Sequence, residues 1–260
     1  MAEIILAEHH DQVYSVWEER GHKNLSVSHV DFHCDMRGIL IDRVKQTAIF
    51  TSHRETTFVD RGNYLAHAIM NGIVSDLKWV HGPHAGRGYD VGPIVSYETD
   101  LRTPFYKLKH RLSGRNAVSV QYEELLLSSW QGMRENEQLD LDWDGLMSVE
   151  YDKTHREMLI QEFLSKNYDH TPQITFLVYS PGYSDADRSL YHDFAKELSM
   201  KFKADITQLP ETKLVTEGER FSGLRSFAKK ILPDGVRECK RNVTRKYRKG
   251  QTEKDLAFYQ

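Results

Sequence analysis

Cysteine is nearly absent from this chain: its 260 residues contain two, Cys34 and Cys239. Two thiols exclude a disulfide framework and fit a reducing cytoplasm. Cys34 reads as a packing residue. Long apolar runs are missing too. No stretch approaches the roughly 18 consecutive apolar residues of a membrane span, and the start, MAEIILAEHH, lacks the basic flank and extended apolar run of a secretory signal. Neither charge sign dominates. Lys and Arg number 35 against 38 Asp and Glu, giving a net charge of −3 with 13 histidines neutral, so there is no global polycation signal for nucleic acid. Repeats and low-complexity linkers are also missing. What remains, 39% hydrophobic and 28% charged residues, is a chain able to bury a substantial core. It reads as one cytoplasmic domain over residues 1–260 with no membrane or nucleic-acid partner, ending in a basic region from about 215 to 260.

Short apolar runs alternate with amphipathic stretches. IILAE, VSHVDF, TAIFTS, LKWVHG, AVSVQY, EQLDLDWD and QITFLVYS read as strands. DQVYSVWEER, GNYLAHAIMNGI, YDKTHREMLIQEFLSKN and SDADRSLYHDFAKELSMKF read as helices. In the third helix Met158, Ile160, Phe163 and Leu164 form the expected apolar stripe. In the fourth, Ser184 or Asp185 is the expected N-cap. Strands alternating with helices predict an α/β fold of three αβα layers around a mostly parallel central sheet. HGPHAGRGYDVGP, residues 81–93, reads as a long loop containing His81 and His84.

In such sheets ligands bind beyond the carboxyl ends of the strands. Three segments put ionisable groups there: Glu8, His9, His10 and Asp11; then Asp31, His33 and Asp35 in SHVDFHCDM; then Asp140, Asp142 and Asp144 in EQLDLDWDGL. Alternate residues of an extended strand share a face, so each aspartate set converges. Uncompensated, these carboxylates would repel one another, and burying them bare is very costly. Divalent cations remove both objections. Mixed His and Asp donors suit Mn, Zn, Fe, Co or Ni better than calcium. Four aspartates and two histidines exceed one tetrahedral zinc and can hold two ions.

VDFHCD resembles the DAHxD motif of the arginase and agmatinase (ureohydrolase) superfamily, and LDWDGL resembles its SxDxDGLDP motif. EHH at residues 8–10 is similar to the segment that supplies the superfamily's first histidine ligand. The resemblance, over roughly residues 4–185, looks closest to a divergent arginase-related group that includes peptide arginases of ribosomal-peptide maturation. It implies an arginase/deacetylase-like fold and two Mn²⁺ ions per chain. Carried over, His10, Asp31, His33, Asp35, Asp142 and Asp144 are the six ligands. Asp31 and Asp142 bridge, His10 and Asp35 complete one site, and His33 and Asp144 complete the other. A shifted register would use Asp140 and Asp142 instead; the Gly-Leu after Asp144 favours the first assignment.

The implied reaction converts arginine residues of a ribosomally made precursor peptide to ornithine, with release of urea. Asp35 is the candidate proton relay and His53 the second candidate acid. Asp60, Asn63 and Tyr183 are candidate substrate-binding residues, with helix capping the competing role of the first two. The guanidinium-binding glutamate of arginases is not recognisable: FLVYSPGYSD stands near its place with Ser180, Tyr183 and Asp185. The basic segment 106–115 and the basic C-terminal region are candidate grips for an acidic leader segment, with solvated surface as the alternative. Competing functions are a hydrolase of a small guanidine or acyl amide, a non-catalytic metal-stabilised peptide-binding protein and, ranked lower, a dinuclear phosphoesterase. An oligomer is compatible with all of these.

Overall fold

The computed structural model describes residues 2–42, 44–50, 58–83, 94–96, 116–168, 170–184 and 188–210. These belong to one compact unit. His53, His84, Asp185, Cys239, the basic segment 106–115 and the basic C-terminal region lie outside the described residues.

In chain order the elements are β1 (Glu3–Ala7), α1 (His10–Glu19), β2 (Leu25–Val30), β3 (Ile39–Asp42), β4 (Thr47–Phe50), α2 (Tyr64–Met70), β5 (Val74–His81), β6 (Ile94–Ser96), β7 (Val118–Ser119) and β8 (Gln121–Leu126). They continue with β9 (Glu137–Asp142), α3 (Asp144–Met147), α4 (Lys153–Ser165), β10 (Ile174–Val178), α5 (Arg188–Phe202) and β11 (Asp205–Gln208). Seven strands form one sheet in the order β11-β1-β10-β9-β2-β5-β8, and every pairing in it is parallel. Helices cover both faces, giving three αβα layers.

Alternation along each strand feeds two cores. Ile5 and Ala7 of β1 face one way and join Val13 and Trp17 of α1, Tyr64 and Leu65 of α2, and Phe176 of β10. Ile4 and Leu6 face the other way and join Leu139, Leu141, Leu159, Phe163, Leu177 and Leu198. Each large apolar side chain removed from water in this way contributes about 1.5–3 kcal/mol. The second face also buries Lys78, held 2.5 Å from Glu137, which accepts a further bond from the Ser28 hydroxyl. Pairing is what makes such charges tolerable inside a sheet.

The structure corrects several details of the sequence reading. TAIFTS is not in the central sheet. Its strand β4 lies antiparallel to β3 in a second sheet, ordered β6-β3-β4-β7. AVSVQY is split at Val120, with β7 in the small sheet and β8 at the edge of the large one. In α4 the buried stripe is Leu159 and Phe163, flanked by the partly buried Ile160 and Leu164, while Met158 is 47% exposed. Met158 lies one residue, about 100° of helix rotation, from Leu159, and that is enough to turn it to solvent. The described part of α5 runs from Arg188, with residues 185–187 before it outside the described residues, and the Ser184 hydroxyl donates to Tyr179 O at 2.6 Å. His81 closes β5 and is buried, with Nε2 3.2 Å from Glu124 Oε1.

Candidate metal centre

The four adjacent strands β1, β10, β9 and β2 end on one rim, and each contributes to one buried cluster. After β1 the Gln12 side chain accepts from the backbone N–H groups of Glu8 (2.8 Å) and His9 (3.1 Å). This tight entry into α1 satisfies two donors at the turn and puts His10 inside, 2% exposed. Glu8 beside it is clamped by both terminal nitrogens of Arg188, at 2.7 and 3.0 Å.

The strand carrying SHVDFHCDM stops at Val30, so Asp31, His33 and Asp35 are not on one extended face as their spacing suggests. They converge through a turn instead. Asp31 N–H donates to Val80 O, and His33 N–H donates to Asp31 Oδ1 at 2.7 Å. Asp35 adopts a left-handed φ of +48°, unfavourable for a side chain with a Cβ, and its carboxylate reaches His10. Cys34, between them, points into the hydrophobic core.

At the end of β9, Asp144 N–H donates to Asp142 Oδ1 (3.1 Å), and Asp144 Oδ1 accepts from Phe32 N–H (3.3 Å). Gly145 permits this approach. A Cβ there would stand 2.8 Å from Asp31 Cα and 3.0 Å from Val30 O. After β10, Ser180 donates to Asp142 Oδ2 at 2.6 Å.

Asp31 is the hub. His10 Nδ1 lies 2.5 Å from Asp35 Oδ2 and 3.8 Å from Asp31 Oδ2, and His10 Nε2 is 3.3 Å from Asp142 Oδ2. His33 Nδ1 lies 3.1 Å from Asp144 Oδ2 and 3.8 Å from Asp31 Oδ1. Three groups have donor atoms close enough to hold a metal ion: His10, Asp31 and Asp142; Asp31, His33 and Asp144; and His29, Asp31 and Asp35. The six residues that the resemblance gives as ligands all lie in these groups. Asp31, Asp142 and Asp144 are each at most 2% exposed.

Carboxylates this close cannot all be ionised in the metal-free chain. Burial, then Asp144, Asp142 and Asp35, push Asp31 well above the ordinary carboxylate range. Burial and Asp144 push Asp142 up to about 8, against the pull of His10 and Ser180. Burial opposes charge on His10, but Asp142 and Asp35 outweigh it and raise the imidazole to about 10. Burial also opposes charge on Asp144 and His33, yet their mutual bond wins, lowering the first and raising the second. Asp31 Oδ2 and His10 Nε2 are buried without a hydrogen-bond partner. Unpartnered ligand atoms converging among excess carboxylates fit a divalent cation, which would displace the protons and neutralise the repulsion.

Two expected substrate residues have other work. The Asp60 carboxylate is ion-paired with Arg37 and accepts from Gly62 N–H. Asn63 is buried, its Oδ1 accepting from Asp60 N–H and its Nδ2 donating to Phe58 O. Both build the turn into α2. Tyr183 does stand at the cluster's edge: it is 41% exposed, with its ring edge-on to His33 at 5.4 Å and Arg61 5.0 Å above it.

The sequence reading missed His29 and Tyr64 and left Asp140 as an alternative ligand. These three are buried together beneath the cluster. His29 Nδ1 is 3.2 Å from Asp140 Oδ2, and the Tyr64 hydroxyl donates to the same oxygen while its ring stacks on His10 at 4.9 Å. Burial opposes charge on Asp140, but the His29 bond, with the neighbouring imidazoles and the Tyr64 hydroxyl, outweighs it and holds the carboxyl below its usual range. The i, i+2 spacing of the DxHxD motif runs back to His29, a signal present in the sequence; nothing local points to Tyr64.

Neither the protein-family models nor the curated proteins give a match to this chain.

Proposed function

We propose that this protein is a binuclear metallohydrolase that converts arginine residues of a precursor peptide to ornithine and urea. The observation that carries this reading is the trio of ligand-like groups sharing Asp31. A carboxylate common to three ligand-like groups suits two ions held close together, the arrangement of two-metal hydrolases. The resemblance of VDFHCD and LDWDGL to the ureohydrolase motifs supplies the substrate class and the choice of two Mn²⁺. In this reading His10 and Asp35 would hold one ion and His33 and Asp144 the other, with Asp31 and Asp142 as the carboxylates the resemblance would share between them.

Two bound divalent ions would supply a water acidic enough to attack near neutral pH. The protein's own residues do the rest. Ser180 fixes one oxygen of Asp142, and His33 N–H fixes one oxygen of Asp31, so the shared carboxylates keep their orientation. Water adds to the guanidinium carbon, the bond from that carbon to the chain nitrogen breaks, and the nitrogen leaves with a proton as the ornithine amine. Asp35, beside His10, is the residue to hand over that proton. Tyr183 offers an aromatic face at the edge. With Asp60 held by Arg37, no acid is assigned to the substrate guanidinium. An acidic leader segment is the partner suited to the basic C-terminal region.

A second reading, hydrolysis of an uncharged acyl amide, draws on one specific observation. Arg61 over Tyr183 sets a positive charge at the same edge, which favours a neutral group over a guanidinium.

The test is mass spectrometry of arginine peptides, free arginine and acetyl-lysine peptides after incubation with the manganese-loaded chain. The expected result is loss of one cyanamide mass unit per arginine in peptide only, abolished by Asp142→Ala. Loss of acetyl instead supports the second reading. Binding of two ions with no change in any substrate leaves the metal-stabilised binding protein.

A further inference from the structure

The six ligands inherited from motif resemblance leave one buried imidazole unexplained. His29 is fully buried, and its two nitrogens face two different carboxylates. Nδ1 lies 3.2 Å from Asp140 Oδ2 and 3.3 Å from the Tyr64 hydroxyl. A proton on Nδ1 therefore has an acceptor, which leaves the lone pair on Nε2. Nε2 lies 3.0 Å from Asp31 Oδ2, yet neither atom has a hydrogen-bond partner: the distance is right and the direction is wrong. Both atoms are therefore left open to one small space between them, where a cation would satisfy both. Donors each roughly 2.1 Å from one ion and at right angles around it stand roughly 3 Å apart. Asp35 is the third member of this group, and the His10 ring stands edge-on to His29 at 5.6 Å.

We infer that His29 is a further metal ligand, binding through Nε2 the same ion as His10, with Asp140 holding the other ring nitrogen. This rests on the metal-centre part of the proposed function and on none of its substrate assignment. Ligating histidines commonly donate their second N–H to a carboxylate, which fixes tautomer and ring orientation. Asp140 does this here, and the Tyr64 hydroxyl steadies Asp140. The two positions then differ in chemistry. The one beside β1 has two imidazoles, His10 and His29, and the one beside α3 has one, His33. An extra imidazole shifts preference from manganese toward zinc, cobalt or nickel.

Two experiments on the full chain decide it. In the first, zinc is titrated into the chain labelled with ¹⁵N-histidine, and ring nitrogens are followed by long-range ¹H–¹⁵N correlation. The first equivalent of zinc is expected to move His29 Nε2 to a metal-bound shift while Nδ1 stays protonated. His29 retaining its metal-free pattern at saturating zinc overturns the inference. In the second, cobalt is counted by equilibrium dialysis with its absorption spectrum recorded. Asp140→Asn is expected to weaken one of two ions by about ten- to a hundredfold, His29→Gln to weaken the same ion by at least as much, and both to alter that ion's spectrum, with thermal melting as the folding control. A folded His29→Gln that keeps both affinities and both spectra overturns the inference and leaves the binuclear reading standing. Wild-type chain that takes up no cobalt or zinc removes both.

Discussion

At the residue scale, Gly145 shows how closely the site depends on backbone approach. It follows the last ligand, and the space a Cβ would need is already taken by Asp31 Cα and N and by Val30 O, all within 3.0 Å. These are backbone atoms of the hub residue and of the strand end before it, so they cannot swing aside. Gly145→Ala is expected to cost about 1–3 kcal/mol, the usual scale of overpacking, read from urea unfolding. It is also expected to displace Asp31 and lower the number of bound metal ions, counted by equilibrium dialysis. Ala at Gly21 or Gly72 meets no neighbour but inherits a positive φ; strain there is expected without loss of metal. Asp35 makes the complementary case. It holds a left-handed backbone that glycine would accept more easily, and the carboxylate turned toward His10 is what keeps aspartate there.

At the scale of elements, α4 separates sequence pattern from packing. Leu159 is fully buried against the second face of the sheet, and Met158 is half exposed. Leu159→Ala is expected to cost about 2–5 kcal/mol, the range for emptying a core position, while Met158→Ala stays within about 0.5 kcal/mol. Denaturant midpoints of the two variants measure the difference. A sequence reading that includes Met158 in the stripe predicts the opposite ranking for that position. The error is one residue in phase, because apolar residues at 158, 159 and 160 allow more than one helical stripe and only the sheet beneath selects among them. The turn into α2 teaches a similar lesson. Asp60 and Asn63 read either as substrate-binding or as helix-capping residues; the fold uses both to close the turn, and Asp60 also to anchor Arg37.

At the scale of the whole molecule, the metal-free fold holds protons that an unfolded chain would release. Asp142 is raised from 3.8 to about 8 and His10 from 6.5 to about 10. In both cases the folded state binds more protons, so stability falls as pH rises. The contribution of Asp142 is present below its unfolded value and is lost through about pH 8; that of His10 is present below 6.5 and is lost through about pH 10. The melting temperature in chelator is therefore expected to fall between about pH 6 and pH 9, by scanning calorimetry. Metal must displace these protons. Its apparent affinity is expected to rise with pH over the same range, and binding is expected to release protons measurable in a weakly buffered titration. Among the described residues no helix is long and apolar enough to cross a membrane.

Motif resemblance picked the six ligands; the sequence by itself determined the α/β class, the parallel strands and the three segments that supply the cluster. The physical reason is that strand ends, helical periods and clustered carboxylates are local patterns, and alternation at positions 31, 33 and 35 and at 140, 142 and 144 is visible without coordinates. Only the tertiary structure decided how those residues meet. It ended β2 at Val30, used a turn with a left-handed Asp35 in place of a strand face, and moved β4 to a second sheet. It also set Asp140 beneath the cluster with His29 and Tyr64, and drew Ser180 from β10 onto Asp142. Those pairings join positions as far as 111 residues apart. They depend on strand order, and strand order is settled by the packing of the whole sheet.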